Sequence, residues 1–149
     1  MPSMSFGKTA LSTSFLSDLR STNLDLEKWP SDFTCKHAIK FMCYLRGSIF
    51  RDFWLIAEDH FLGFEQCFDT PIGDLSAEER AILSILLSST GTTQSVVLYE
   101  PMKEVVDKEK VLGYLQAITK TRGLVIILNG AADESLQRLS TAITPENSA

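Results

Sequence analysis

Residues 95–128 read SVVLYEPMKEVVDKEKVLGYLQAITKTRGLVIIL, and this stretch decides between an all-helical chain and one that contains a sheet. At its two ends, Ser95–Tyr99 and Gly123–Leu128 concentrate the β-branched and aromatic side chains that suit a pleated surface. Between them Val111, Tyr114, Leu115 and Ile118 recur at helical spacing. Lys120 and Arg122 then fall in the last turn, where unpaired carbonyls favour cations. The stretch therefore reads as strand, helix, strand. After Asn129-Gly130, Asp133 is placed to cap a further helix carrying Leu136, Leu139 and Ile143.

The region before it reads as helices. Leu11, Phe15, Leu16 and Leu19 outline a short helix over Thr9–Arg20, and Ser21–Pro30 is a connector that Trp29 pins to the body. After Pro30, Ser31 or Asp32 is available to cap a helix whose apolar face is Cys35, Ala38, Ile39, Met42 and Leu45, with Gly47 as its stop. The next helix starts at Ser48. Phe50, Phe53, Trp54, Ala57 and Phe61 fall at i, i+3, i+4, i+7 and i+11, an aromatic stripe opposite a narrow polar strip of Arg51, Asp52, Glu58 and Asp59. Gly63 interrupts it, Phe64 and Phe68 continue the aromatic content, and Asp69–Asp74 is a turn. Ser76-Ala-Glu-Glu79 is a capping box that opens a helix over Ala77–Ser89, apolar nearly all round and so expected in the core.

The expected fold is α+β and mainly helical. A helical bundle over about 9–89 is followed by a small strand–helix–strand–helix unit over about 94–143. One domain covers 1–149, with 1–8 and 144–149 read as disordered tails. The alternatives are an all-α chain or a winged-helix-like C-terminal half.

Of the 149 residues 44% are apolar and 22% charged, the balance of a globular chain rather than a disordered one. No apolar run reaches membrane-spanning length, and Met1–Ala10 lacks the charged-then-apolar pattern of a signal peptide. Cys35, Cys43 and Cys67 sit in apolar surroundings and are odd in number, which points to reduced core thiols and a reducing, cytoplasmic location. The net charge of −5 is uneven: residues 52–109 carry twelve acidic and three basic side chains, whereas both flanks are mildly basic. An acidic middle disfavours non-specific nucleic-acid binding and suits a basic partner.

No motif reaches a catalytic or cofactor signature. Gly7-Lys8-Thr9 ends like a phosphate-binding loop, but Pro2 stands where the first glycine is needed and no strand can precede it. Cys35, His37, Cys43, His60 and Cys67 include zinc-ligand types without the close pairs that a structural site uses. The same residues would have to supply any thiol nucleophile and its base. No cofactor and no metal are expected.

Two resemblances are local. Phe50–His60 resembles the Phe-Trp-Leu-x-x-Glu-Asp helix of regulator-of-G-protein-signalling domains over about ten residues, and the flanking sequence does not continue that pattern. Leu75–Leu87, Thr92–Gln94 and Val111–Val125 together resemble the helix–helix–helix–wing order of winged-helix regulators. That resemblance implies a recognition helix over Lys108–Thr121, with Lys108, Lys110, Gln116, Lys120 and Arg122 reaching DNA, and a first wing strand at Gly123–Leu128.

The functional expectation is a non-enzymatic interaction protein, an adaptor, inhibitor, immunity or accessory factor. It would bind another protein or itself through aromatic anchors, which dominate interface energetics. The candidate surface is Phe50, Phe53, Trp54, Phe61, Phe64 and Phe68 with Glu58 and Asp59; burial of the same rings in the domain's own core is the competing reading. A winged-helix-like DNA-binding regulator is the first alternative and a small enzyme with a Cys/His site the second.

Overall fold

Pro30 bars a helix from running through it, and the chain uses the next residues for tertiary hydrogen bonds before a helix begins. In the computed structural model, which describes residues 5–6, 9–10, 26–91 and 95–127, α1 spans Cys35–Leu45. Its N-cap is Thr34, whose hydroxyl accepts from the His37 amide at 3.2 Å. The sequence favoured Ser31 or Asp32. That cap moves because Ser31 and Phe33 offer their carbonyls to the Gly73 and Ile72 amides, at 2.9 and 2.7 Å, tying this segment to the turn at 71–73.

Gly47 and Gly63, at φ +72° and +86°, take left-handed turns on either side of α2, Phe50–Ala57. The expected start at Ser48 is corrected: Ile49 occupies the cap position without a side-chain bond, and the Ser48 hydroxyl donates instead to the Thr90 carbonyl. α2 is also shorter than the stripe suggested. Phe61 lies beyond its end, in the turn that leads to a 3-10 segment at Phe64–Cys67. α3 spans Ala77–Ser88 and opens with the expected capping box: Ser76 Oγ accepts from Glu79 N at 3.2 Å, and Glu79 Oε1 accepts from Ser76 N at 2.8 Å.

Ser5–Phe6 (β1) and Thr9–Ala10 (β2) pair antiparallel, Ser5 with Ala10 and Phe6 with Thr9. At these residues the expected tail and the expected start of a helix at Thr9 give way to extended backbone, which suits β-branched Thr9. The rest of that helix, over 11–20, and the final helix bearing Leu136, Leu139 and Ile143 lie outside the described residues, as does the 144–149 tail.

Val96–Tyr99 (β3) and Leu124–Ile127 (β4) pair in parallel, Val96 with Leu124 through Tyr99 with Ile127. α4, Lys108–Thr119, is the crossover between them. Parallel strands require such a crossover, so the last third is a β–α–β unit. A wing would pair antiparallel with a strand following it; the described part of Gly123–Leu128 instead pairs with β3, which corrects the winged-helix alternative. The chain is thus mainly helical α+β. α1 packs against α2 and α3, α3 against β3, and α4 against β4. Ile39, Met42, Phe61, Leu83, Leu86, Leu112, Leu115 and Ile126 are fully buried and join these elements into one core.

Candidate functional site

The aromatic stripe of α2 turns inward. Trp54, Phe61, Phe64 and Phe68 are buried, and Phe50 and Phe53 are half-buried against the same core. Trp54 meets Phe68 edge-on with ring centroids 4.8 Å apart, and Phe68 also contacts Phe50 and Phe64 at 6.2 and 6.4 Å. Phe61 packs on Tyr114 of α4 at 5.1 Å. The Trp54 indole N–H donates to Glu65 Oε1 at 3.1 Å, so its one polar atom is matched at the edge of the cluster. Lys40 Nζ sits 5.3 Å over the Phe50 ring and covers its outer side. Asp59 is exposed and Glu58 half-buried.

Large apolar side chains remain on the other side of this helix. Ile49, Leu55, Ile56 and Leu62 are 65%, 58%, 62% and 82% exposed. At 100° per residue Leu55 and Ile56 flank Asp52 on the outward face of α2. Ile49, Phe53 and Ile56 also form one wall of a cleft of about 540 Å³, whose other wall is Ala117 and Ile118 of α4.

The floor of this cleft includes polar groups, Ser89, Thr90 and Arg122 among them. α3 ends there, and its last carbonyls need donors. Arg46 Nη1 donates to Leu87 O and Ser88 O at 3.1 and 2.9 Å; Arg122 Nη1 donates to Ser89 O at 2.8 Å. The sequence placed Arg122 in the last turn of its own helix, yet its cation serves the carbonyl end of a neighbouring one. Ser89 Oγ lies 3.0 Å from the Ile85 and Leu86 carbonyls, which take its single proton, and 2.7 Å from Tyr114 Oη. Tyr114 must then donate to Ser89. Burial, partly offset by the Ser89 bond, pushes the Tyr114 phenol up to about 12. Burial, and Arg122 beside it, lower the Arg46 guanidinium from its ordinary value. The cleft thus has apolar walls, and the Ser89 hydroxyl and one Arg122 nitrogen at its floor are engaged within the fold.

The three cysteines are free thiols and buried. Cys67 Sγ donates to Glu79 Oε2 at 3.5 Å. Burial is the main cause that raises all three thiols, Cys43 and Cys67 to about 11 and Cys35 further, so their nucleophilic thiolate forms are suppressed. His37 stacks on Phe33 with centroids 5.3 Å apart, and His60 packs edge-on against Tyr114 at 5.8 Å. Among the described residues no three His, Cys, Asp or Glu side chains gather where they could hold a metal.

The five residues that the winged-helix resemblance proposed for DNA do not converge on one face. On α4, Lys108 and Lys110 are about 160° apart around the axis. Lys110 faces Glu78, Glu79 and Cys67 in a small cleft. Lys120 and Arg122 lie at the far end, on the α2 groove, and Gln116 is exposed between the two ends. Of the groove's residues the sequence singled out Phe53, Lys120 and Arg122, but not as one site, because the lining comes from three separated segments, 47–56, 89–91 and 114–122.

No known protein family, no curated protein and no solved structure matches the chain. No described helix is long and apolar enough to cross a membrane.

Proposed function

We propose that this chain is a non-enzymatic interaction module that docks a partner protein, or a second copy of itself, on the outward side of α2 and the adjoining groove. One observation carries the reading: Ile49, Leu55, Ile56 and Leu62 present large apolar surface beside a helix whose inner aromatic face is already packed. Scattered apolar residues are ordinary on a surface, but four of them on and around one short helix, two of them lining the adjoining groove, fit an interaction site. Apart from Phe53, which lines the groove, the aromatic residues serve as anchors of the binding element rather than as its contact surface. Asp52, Glu58 and Asp59 on the same segment favour a partner with basic residues flanking its apolar ones. Buried free thiols support a reducing, cytoplasmic setting.

Size exclusion with light scattering, together with affinity capture from the native host, tests this by comparing the wild type with Ile56→Lys and Leu55→Lys. The wild type should self-associate or enrich a defined partner, and both variants should weaken that association at least tenfold while folding normally. A wild type that stays monomeric and enriches nothing over the variants overturns the reading.

The duplex-binding alternative has no comparable face, because its candidate residues point apart and one of them caps α3. A salt-dependent gel shift with any duplex would restore it.

A further inference from the structure

A second cavity, of about 650 Å³, shares no lining residue with the α2 groove. It lies between α3 and the loop that leaves the carboxyl end of β3. Small residues on one face of α3, Ala77, Ala81, Ser84 and Ser88, hold it open, and Leu75, Ile85 and Leu98 give it apolar walls. This volume is in the range of small-molecule sites, and the carboxyl ends of parallel strands are where such sites collect.

Three features of the wall point to a ligand. Arg80 lines the cavity and donates from Nη2 to the Gly73 carbonyl at 3.0 Å, while its buried Nε–H has no acceptor. A guanidinium with one neutral bond and no acidic partner among the described residues is suited to a carboxylate, which takes two parallel N–H bonds along one edge. Glu100 follows β3 at φ +48°, a left-handed conformation that a non-glycine residue rarely holds, and Pro101 after it disfavours the right-handed helical alternative. This conformation puts Glu100 in the cavity wall with Glu104. Finally, the loop is anchored from outside: Glu78 Oε2 accepts from the amides of Val106 and Asp107.

The charges select the ligand class. Glu27, Glu100 and Glu104 outnumber Arg80 and Lys103 in the wall and disfavour a phosphate dianion, whereas a cation alone would leave both basic groups unmatched. We propose that this cavity binds a small zwitterion with an aliphatic body, its carboxylate on Arg80 and its ammonium towards Glu100 and Glu104.

Isothermal titration and thermal melts of the full chain test this with ω-amino acids from glycine to ε-aminocaproate, and with caproate and hexylamine as single-charge controls. At least one ω-amino acid should raise Tm and bind saturably, at least tenfold more tightly than either control. Arg80→Gln should weaken that binding at least tenfold. Ser84→Trp, which fills the cavity and leaves Arg80 in place, should abolish it; unliganded melts report whether each variant folds. Absence of binding across the series, caproate binding as tightly as the amino acid, or binding unchanged in Ser84→Trp each overturns the proposal.

Discussion

Phe61→Ala is the substitution that separates core from contact surface in the aromatic segment. Phe61 is 1% exposed and packs on Tyr114 with centroids 5.1 Å apart. A buried phenylalanine removes about 150–250 Å² from water. At roughly 25 cal/mol per Å² the whole residue contributes about 4–6 kcal/mol, of which alanine keeps a part. Core Phe→Ala changes cost about 3–5 kcal/mol, a cavity term included, and the ring pair adds about 0.5–1.5 kcal/mol. The expected loss is therefore about 4 kcal/mol, a large share of a domain's roughly 5–15 kcal/mol. It should appear in urea denaturation as a lower midpoint, and as a Tm lower by about 10 °C for a chain of this size. Ile56→Lys on the outward face of the preceding helix is the matched control and should change stability by no more than about 0.5 kcal/mol. The reasoning is refuted if Phe61→Ala costs less than about 1 kcal/mol, or if Ile56→Lys costs as much as Phe61→Ala.

Other outcomes follow from the polar contacts. Arg46→Ala removes the bonds to the Leu87 and Ser88 carbonyls and should cost about 1.5–3 kcal/mol in the same assay, with Arg46→Lys recovering part of it. Ser76→Ala removes the acceptor of the α3 capping box and should cost about 1 kcal/mol. Burial raises the Cys43 and Cys67 thiols from 9.0 to about 11, so the folded state favours their neutral forms. That contribution is complete below pH 9, is lost between pH 9 and about 11, and should be reduced in Cys43→Ala when unfolding is followed across that window. Glu78 is lowered, chiefly by the Asp107 amide, so its contribution is present above its ordinary value of 4.5 and is lost as pH falls through its depressed value; Glu78→Gln should flatten that part of the acid-stability profile.

The parts legible in the sequence were those set by local chemistry. Ser76 and Glu79 are three residues apart, so their reciprocal bonds follow from spacing alone. The β-prone runs at Ser95 and Gly123, with a helical period between them, set the order strand, helix, strand, while the parallel pairing is a property of the fold. The caps of α1 and α2 were not legible, because Ser31 and Ser48 use their polar groups on Gly73 and Thr90, some forty residues away. Arg122 illustrates the same limit. Its position after Ile118 predicts a role at its own helix end, while the fold brings the carbonyl of Ser89 within 2.8 Å. Distant pairings of this kind, Arg122 with Ser89 and Ser89 with Tyr114, meet at the groove floor.

The density of rings around α2 has a physical reason in the length of that helix. Eight residues make little more than two turns, too few to hold a helix without tertiary packing, and α2 has no side-chain cap at its start. Trp54, Phe50, Phe53 and the rings of Phe64 and Phe68 supply that packing from one side. Leu55 and Ile56 stand outward on the backbone that this packing positions. An apolar surface presented this way loses little conformational freedom when it is covered, which is the condition for a small surface to bind well. Under the proposed function, the aromatic excess and the exposed aliphatic side chains are two sides of one device: the first fixes the helix, and the second is what the fixed helix offers.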